Sequence, residues 1–158
     1  MYLFFPLGGP QSPGYAGTMS PRAMPTDCLC GSGKPANKCC GRFLAGNSYP
    51  RTPEQLMRSR YCAYALGGHG DYLLETWFPA TAGSLTVPQL SERTQDWQRL
   101  EILDKQQRGD SGEVEFRAWY LDRQGRERCQ HERSEFRRVS GRWLYVGAIV
   151  RDDTPGQY

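Results

Sequence analysis

Four of the six cysteines in this chain fall between Cys28 and Gly41, and no other feature constrains it as tightly. They form two pairs, Cys28-Leu29-Cys30 and Cys39-Cys40, on either side of Gly31-Ser32-Gly33-Lys34-Pro35-Ala36-Asn37-Lys38. A zinc ion takes four ligands at the corners of a tetrahedron, with Zn–S near ~2.3 Å, and a short loop with a thiolate pair at each end can wrap one. The Gly-Ser-Gly run lets the backbone turn sharply, because glycine has no Cβ to clash. Lys34, Lys38 and Arg42 offset part of the charge of about −2 that four thiolates leave around Zn²⁺. Such a site is closed, so its metal is expected to be structural. Disulfides would require an oxidising compartment, and a bridge between adjacent cysteines is strained by the usual Cα separation of roughly 4.4–6.8 Å. An iron–sulfur cluster, which also takes four thiolates, is the remaining alternative.

Cys-x-Cys-Gly-Ser-Gly-Lys followed by Cys-Cys-Gly resembles the SEC-C zinc motif, named for the C-terminus of the SecA preprotein translocase. The resemblance implies that Cys28, Cys30, Cys39 and Cys40 are the zinc ligands. Two positions depart from the motif: Leu29 stands where proline is usual, and Ala36 where an aromatic is usual. Neither touches a ligand.

The 158 residues provide for one compact domain beside a small knuckle. A chain of this size buries roughly 68–70% of its unfolded surface. The net charge of +3 is mild, and no basic run is long enough to demand nucleic acid. Cysteines arranged as metal ligands fit a reducing cytoplasm. Residues 1–26 are expected to form a flexible tail rich in Gly, Pro and Ser. Its apolar start lacks a preceding cation and is too short to span a bilayer, so neither a signal peptide nor a membrane segment is expected. Met19 and Met24 are alternative starts to Met1, and some or all of this tail is expected to be a start-site artefact. The knuckle is placed at 27–48, a larger domain at 51–150 and a second tail at 151–158.

Thr52, Pro53 and Gln55 carry a helix start with capping-box spacing, and Leu56, Met57, Tyr61 and Tyr64 recur at helical intervals until Gly67-Gly68. A second helix is expected from Asp71 through Trp77, stopped by Pro79, and a short third around Val87 to Arg93. The period then changes to two. Four strands are expected over Trp97–Gln107, Glu113–Leu121, Arg126–Val139 and Arg142–Val150. Helices first and an antiparallel meander afterwards mean α+β, with a curved sheet wrapped around the helices to leave a cone-shaped cavity.

Leu56-Met57-Arg58-Ser59-Arg60-Tyr61-Cys62-Ala63-Tyr64, Asp71-Tyr72-Leu73-Leu74, Thr76-Trp77, Glu132-Arg133-Ser134 with Phe136, and Gly141-Arg142-Trp143 with Tyr145 are similar to the YchJ-like family of bacterial proteins. With the cysteine motif, this resemblance covers Cys28 to Val150. It implies an N-terminal SEC-C-type knuckle followed by a nuclear-transport-factor-2-like cone, and it leaves the biochemical activity open. Relatives often carry histidine where Phe78 stands, which removes a pocket histidine here.

Strand parity puts Glu132 and Ser134 on the face of Phe136. A carboxylate facing inward needs a partner, and Arg58 or Arg60 is the candidate. Arg60, Tyr64, Trp77 and Glu132 therefore form either a polar pocket or a buried ion pair that fixes helix against sheet, and the ion pair is favoured. His131 falls on the opposite face with Cys129 and Arg133, and His69 falls in a turn, so no catalytic triad is visible. Cys62 is expected to be buried as a small apolar residue. Three function classes follow, in this order: a zinc-shaped module that docks on a protein or ribosomal partner, a cone pocket that binds or converts a small molecule, and nucleic-acid binding through scattered arginines.

Overall fold

The structure, a computed structural model, describes residues 19–149. Residues 1–18, Val150 and the expected C-terminal tail at 151–158 lie outside the described residues. The architecture is α+β. After a single 3₁₀ turn at Ala36–Lys38 come five helices: α1 (Cys40–Leu44), α2 (Pro53–Leu66), α3 (Gly70–Glu75), α4 (Pro79–Ala82) and α5 (Val87–Ser91). Four strands follow: β1 (Asp96–Arg108), β2 (Ser111–Leu121), β3 (Glu127–Val139) and β4 (Arg142–Ala148). They pair in the order β1-β2-β3-β4, every pair antiparallel.

Helix α2 is the hub. It begins as its residues dictate: the Thr52 Oγ1 accepts the Gln55 N–H at 3.1 Å, and Pro53 occupies the first helical position, where its missing N–H costs nothing. The reciprocal half of the capping box is shifted by one residue, since Gln55 Oε1 accepts from the Arg51 N–H at 2.8 Å. A surface helix shows one apolar stripe, but α2 buries Leu56 and Met57 and then, past the half-buried Arg58, Ser59, Arg60, Tyr61, Cys62 and Ala63. It has neighbours on several sides: α1, α3, and strands β1, β2 and β4. Two polar residues, Ser59 and Arg60, are thereby carried into the interior.

The inner face of the sheet follows the period-two pattern. Val114, Phe116 and Ala118 of β2, Ser134 and Phe136 of β3, and Trp143 and Tyr145 of β4 are buried, and Glu132 shares their face. Phe116 pairs with Glu132 and Phe136 with Tyr145. Strand β1 carries two register shifts, between Trp97 and Arg99 and between Ile102 and Asp104.

One expectation is corrected. The second helix stops at Glu75, so Trp77 is outside it. The residue before a proline is driven away from helical angles, and Phe78 is extended with φ −62° and ψ 123°. The Thr76–Phe78 segment pairs with β4 instead: the Phe78 N–H donates to Tyr145 O at 2.8 Å, and the Tyr145 N–H donates to Thr76 O at 2.7 Å. Pro79 opens α4 rather than closing a helix. Of the expected tail, residues 19–26 are among the described residues. The Met19 N–H donates to Arg93 O at 2.9 Å and the Arg22 N–H to Leu66 O at 2.8 Å, which fastens this segment to the helical layer.

Gly70 sets the distance between α3 and α5. Its N–H donates to Ser91 Oγ at 3.0 Å, and a Cβ there would lie 2.1 Å from Val87 O and 2.4 Å from Ser91 Oγ. Backbone cannot yield as a side chain can, so Gly70→Ala is expected to cost about 1–3 kcal/mol, the usual range for overpacking. An unchanged urea midpoint for this variant would show that the two helices approach less closely than described.

Candidate metal centre

The knuckle is a small hairpin closed by a helix start. Asp27 and Pro35 form an antiparallel bridge, the Cys28 N–H donates to Lys34 O at 3.0 Å, and the Ala36 N–H donates to Thr26 O at 2.8 Å. Gly31 and Gly33 make the turn at φ 78° and 80°, angles that a side chain would resist. The 3₁₀ turn then delivers Cys39, and Cys40 opens α1. The Sγ atoms of Cys28, Cys30, Cys39 and Cys40 all come within 4.8 Å of one another. Cys30 and Cys39 are separated by 3.6 Å and Cys39 and Cys40 by 3.9 Å. A tetrahedral zinc with Zn–S of ~2.3 Å holds its sulfurs about 3.8 Å apart, so the donor set fits one such ion.

Electrostatics supports the same fit. The thiols share ionisation unequally. Hydrogen bonds from Cys28, then Cys40 and Cys62, hold Cys30 far below the ordinary thiol range. Cys28 is lowered to about 6: its contact with Cys30 opposes ionisation, but those with Cys40 and Cys62 outweigh it. Cys40 is pushed far up by Cys28 and Cys30, and Cys39 is raised by burial. One cluster cannot hold four bare negative charges, and a divalent cation is what lets more of the sulfurs ionise together. Ser32 Oγ lies 3.2 Å from Cys39 Sγ.

The cluster is part of the main core and not a separate platform. All four cysteines and Phe43 join the same buried cluster as Leu56, Met57 and Tyr61. Arg58 of α2 donates to Cys30 O at 2.8 Å and pairs with Glu54 at 2.9 Å. Cys62 Sγ lies 3.8 Å from Cys28 Sγ. Cys62 is buried as expected, but it stands among thiols and not merely among apolar atoms. Of the cations expected around the ion, Lys34 and Lys38 are exposed. Arg42 is turned back over the Phe43 ring at 4.6 Å and donates to Cys39 O.

The four expected pocket residues meet in the interior, around Tyr145. The Arg60 guanidinium is fully buried, 4.8 Å from the Trp77 ring and 4.7 Å from the Tyr145 ring. Its Nη1 donates to Leu73 O and Thr76 Oγ1, each at 2.7 Å. Burial pulls the Arg60 pKa down, and the nearby Tyr64, Tyr145, Tyr72 and Glu132 oppose that pull. Glu132 Oε2 accepts from Ser134 Oγ and, at 3.3 Å, from the Tyr145 hydroxyl. Arg58 is engaged by Glu54 and Cys30, which leaves Arg60 as the cation whose charge favours that of Glu132. An open cleft of about 400 Å³ does occur, lined by Gln106, Arg108, Ser111, Glu113, Glu135 and Arg137 among others, and none of the four expected pocket residues lines it.

Comparison with known proteins decides the lineage. Residues 52–148 match the family model described as YchJ, middle NTF2-like domain. The chain is 44% identical over 133 residues to a UPF0225 protein of Streptomyces coelicolor, covering 82% of this chain and 100% of that one. This chain belongs to the YchJ-like family. A UPF0225 protein of Sodalis glossinidius is 40% identical over 139 residues, 85% of this chain and 88% of its own. The solution structure of a SEC-C motif containing protein from Rhodopseudomonas palustris superposes with a TM-score of 0.72 at 38% identity, covering 80% of this chain and 99% of that one. The α+β, nuclear-transport-factor-2-like architecture and the SEC-C cysteine pattern are thus those of the family.

In this YchJ-like chain the histidines stand apart from the site. His131 Nε2 pairs with Glu115 at 2.6 Å on the exposed face of the sheet, beside Arg133 and its partners Glu113 and Asp104. Burial lowers the pKa of His69, which precedes α3. Sequence reasoning did not pick out Cys62 or Tyr145 as site residues. A signal existed for each. Cys62 lies four residues after Arg58, on the same face of α2, and Tyr145 shares parity with Trp143. Among the described residues, no helix is long and apolar enough to cross a membrane.

Proposed function

We propose that this chain binds one structural zinc ion through Cys28, Cys30, Cys39 and Cys40, and that the knuckle so shaped is a docking module for a protein or ribosomal partner in the cytoplasm. The observation that carries the proposal is the convergence of four buried sulfurs within 4.8 Å, on a loop whose outer surface offers the exposed Lys34 and Lys38. Paired lysines on a rigid loop suit an acidic surface or phosphate groups. A small-molecule cone pocket is the weaker alternative. Arg60, Trp77, Tyr145 and Glu132 are directed at one another, which supports a role in holding helix to sheet.

Elemental analysis and native mass spectrometry of protein purified without added metal are expected to find one zinc per chain, and none in Cys30→Ser/Cys40→Ser. Zinc-free wild-type protein, or a double variant that retains the ion, would refute the site. For docking, Lys34→Glu/Lys38→Glu is expected to keep its zinc yet lose crosslinks to its partner in extracts of the native cell. Crosslinks that survive this charge reversal would remove the docking surface from consideration and leave the metal site intact.

A further inference from the structure

Five sulfurs, not four, occupy the centre. Cys62 Sγ lies 3.8 Å from Cys28 Sγ, about the distance between two ligands of one tetrahedral zinc ion. Cys62 is buried in the same cluster as Cys28, Cys30 and Cys40. Cys39 approaches the cluster from elsewhere: its sulfur contacts are Cys30, Cys40 and Ser32 Oγ. Cys28, Cys30, Cys39 and Cys40 lie within 4.8 Å of one another, and Cys62 adjoins the group at Cys28. Cys39, the outer sulfur, is 9% exposed, and Cys62, the inner one, is fully buried on α2.

We propose that the ion can be held by either of two overlapping sets of four thiolates, which share Cys28, Cys30 and Cys40, with Cys62 taking the fourth position whenever Cys39 lets go. The inference rests on the metal-binding reading above. The exchange is redox-neutral. The bond from the ion to Cys39 sulfur breaks, one to Cys62 sulfur forms, and the proton that Cys62 gives up goes to the released Cys39. Four thiolates bind before and after, so the charge of the site is unchanged. Ser32 Oγ is placed to hold the released Cys39 sulfur by a hydrogen bond. Helix α2 makes the inner position rigid, since Cys62 lies within its middle turns and Arg58, one turn earlier, fastens the Cys30 carbonyl. The consequence is a site that can lose its outermost ligand to a soft electrophile and keep its metal.

Cobalt(II) is the probe, because its thiolate charge-transfer absorption scales with the number of coordinated sulfurs. Wild-type protein is expected to take up one cobalt with the spectrum of four thiolates; failure to take up cobalt would overturn the metal-binding reading itself. Cys39→Ser is expected to retain the four-thiolate intensity, and Cys39→Ser/Cys62→Ala to lose about one quarter of it, one thiolate in four. A three-thiolate spectrum in Cys39→Ser alone overturns the inference while leaving the metal site standing. The native protein provides a second measurement that needs no folded variant. After limited treatment of the zinc-loaded chain with N-ethylmaleimide, which reaches the exposed Cys129 first, native mass spectrometry is expected to show the doubly modified chain, carrying the reagent at Cys129 and Cys39, with its zinc still bound. Chain modified at both cysteines without zinc would also overturn it.

Discussion

Treatment with a strong chelator is expected to lower the unfolding midpoint of the whole chain by about 10 °C or more, in a single cooperative transition. The magnitude follows from how the knuckle is built in. Structural zinc contributes roughly 10–16 kcal/mol of apparent binding energy to isolated zinc-finger folds. Here the thiol cluster shares a core with α2 and the sheet, and Arg58 and Cys62 of α2 both reach it. If even about 3 kcal/mol of that energy is transmitted to the rest of the chain, the midpoint moves by about 10 °C, at roughly 2–4 °C per kcal/mol for domains near this size. Differential scanning calorimetry with and without chelator checks this. Two separated transitions, with the larger unmoved by the chelator, would mean that the knuckle melts independently and that the shared core does not couple it to α2.

Replacing Arg60 with alanine is expected to cost about 3–5 kcal/mol, the range for breaking one side of a buried charge arrangement. The guanidinium packs against both the Trp77 and the Tyr145 rings, so the variant loses packing as well as hydrogen bonds to Leu73 O and Thr76 Oγ1. Glu132→Gln is expected to cost about 1–3 kcal/mol, because a neutral amide oxygen accepts more weakly than a carboxylate from Ser134 and Tyr145 and its NH₂ brings donors into the buried site. The double variant should be more stable than the sum of the two single losses predicts by about 0.5–3 kcal/mol, since each charge is part of the other's surroundings. Urea titrations of the four proteins measure the cycle. Strict additivity would show that the two groups act separately, and a negligible loss in Glu132→Gln would return this interior to consideration as a ligand pocket.

Much of the fold was legible residue by residue. The Thr52-Pro53 start of α2 depends on one side chain and one missing N–H, both local. The buried alternation of Val114, Phe116 and Ala118, and of Glu132, Ser134 and Phe136, follows from strand geometry alone. Trp77 was misplaced because the helical spacing of Tyr72, Leu73 and Trp77 continues past the point where the chain leaves the helix. The extended backbone before Pro79 and the pairing with Tyr145 override that spacing. The shift of the Gln55 side chain to the Arg51 N–H is a smaller instance, in which a neighbouring donor competes with the expected one.

By itself the order of residues determined the spacing of the cysteine pairs, the two glycine turns that bring them within reach of one ion, and the succession of helices and strands, because each of these depends on neighbours a few bonds apart. Tertiary structure alone decided that the thiol cluster is pressed against α2, that Cys62 becomes its fifth sulfur, and that Arg60 is enclosed by Trp77 and Tyr145. Those contacts join residues 34, 17 and 85 positions apart. The side chains at that range carry no mark of one another until the core closes and the most favourable packing selects which faces meet.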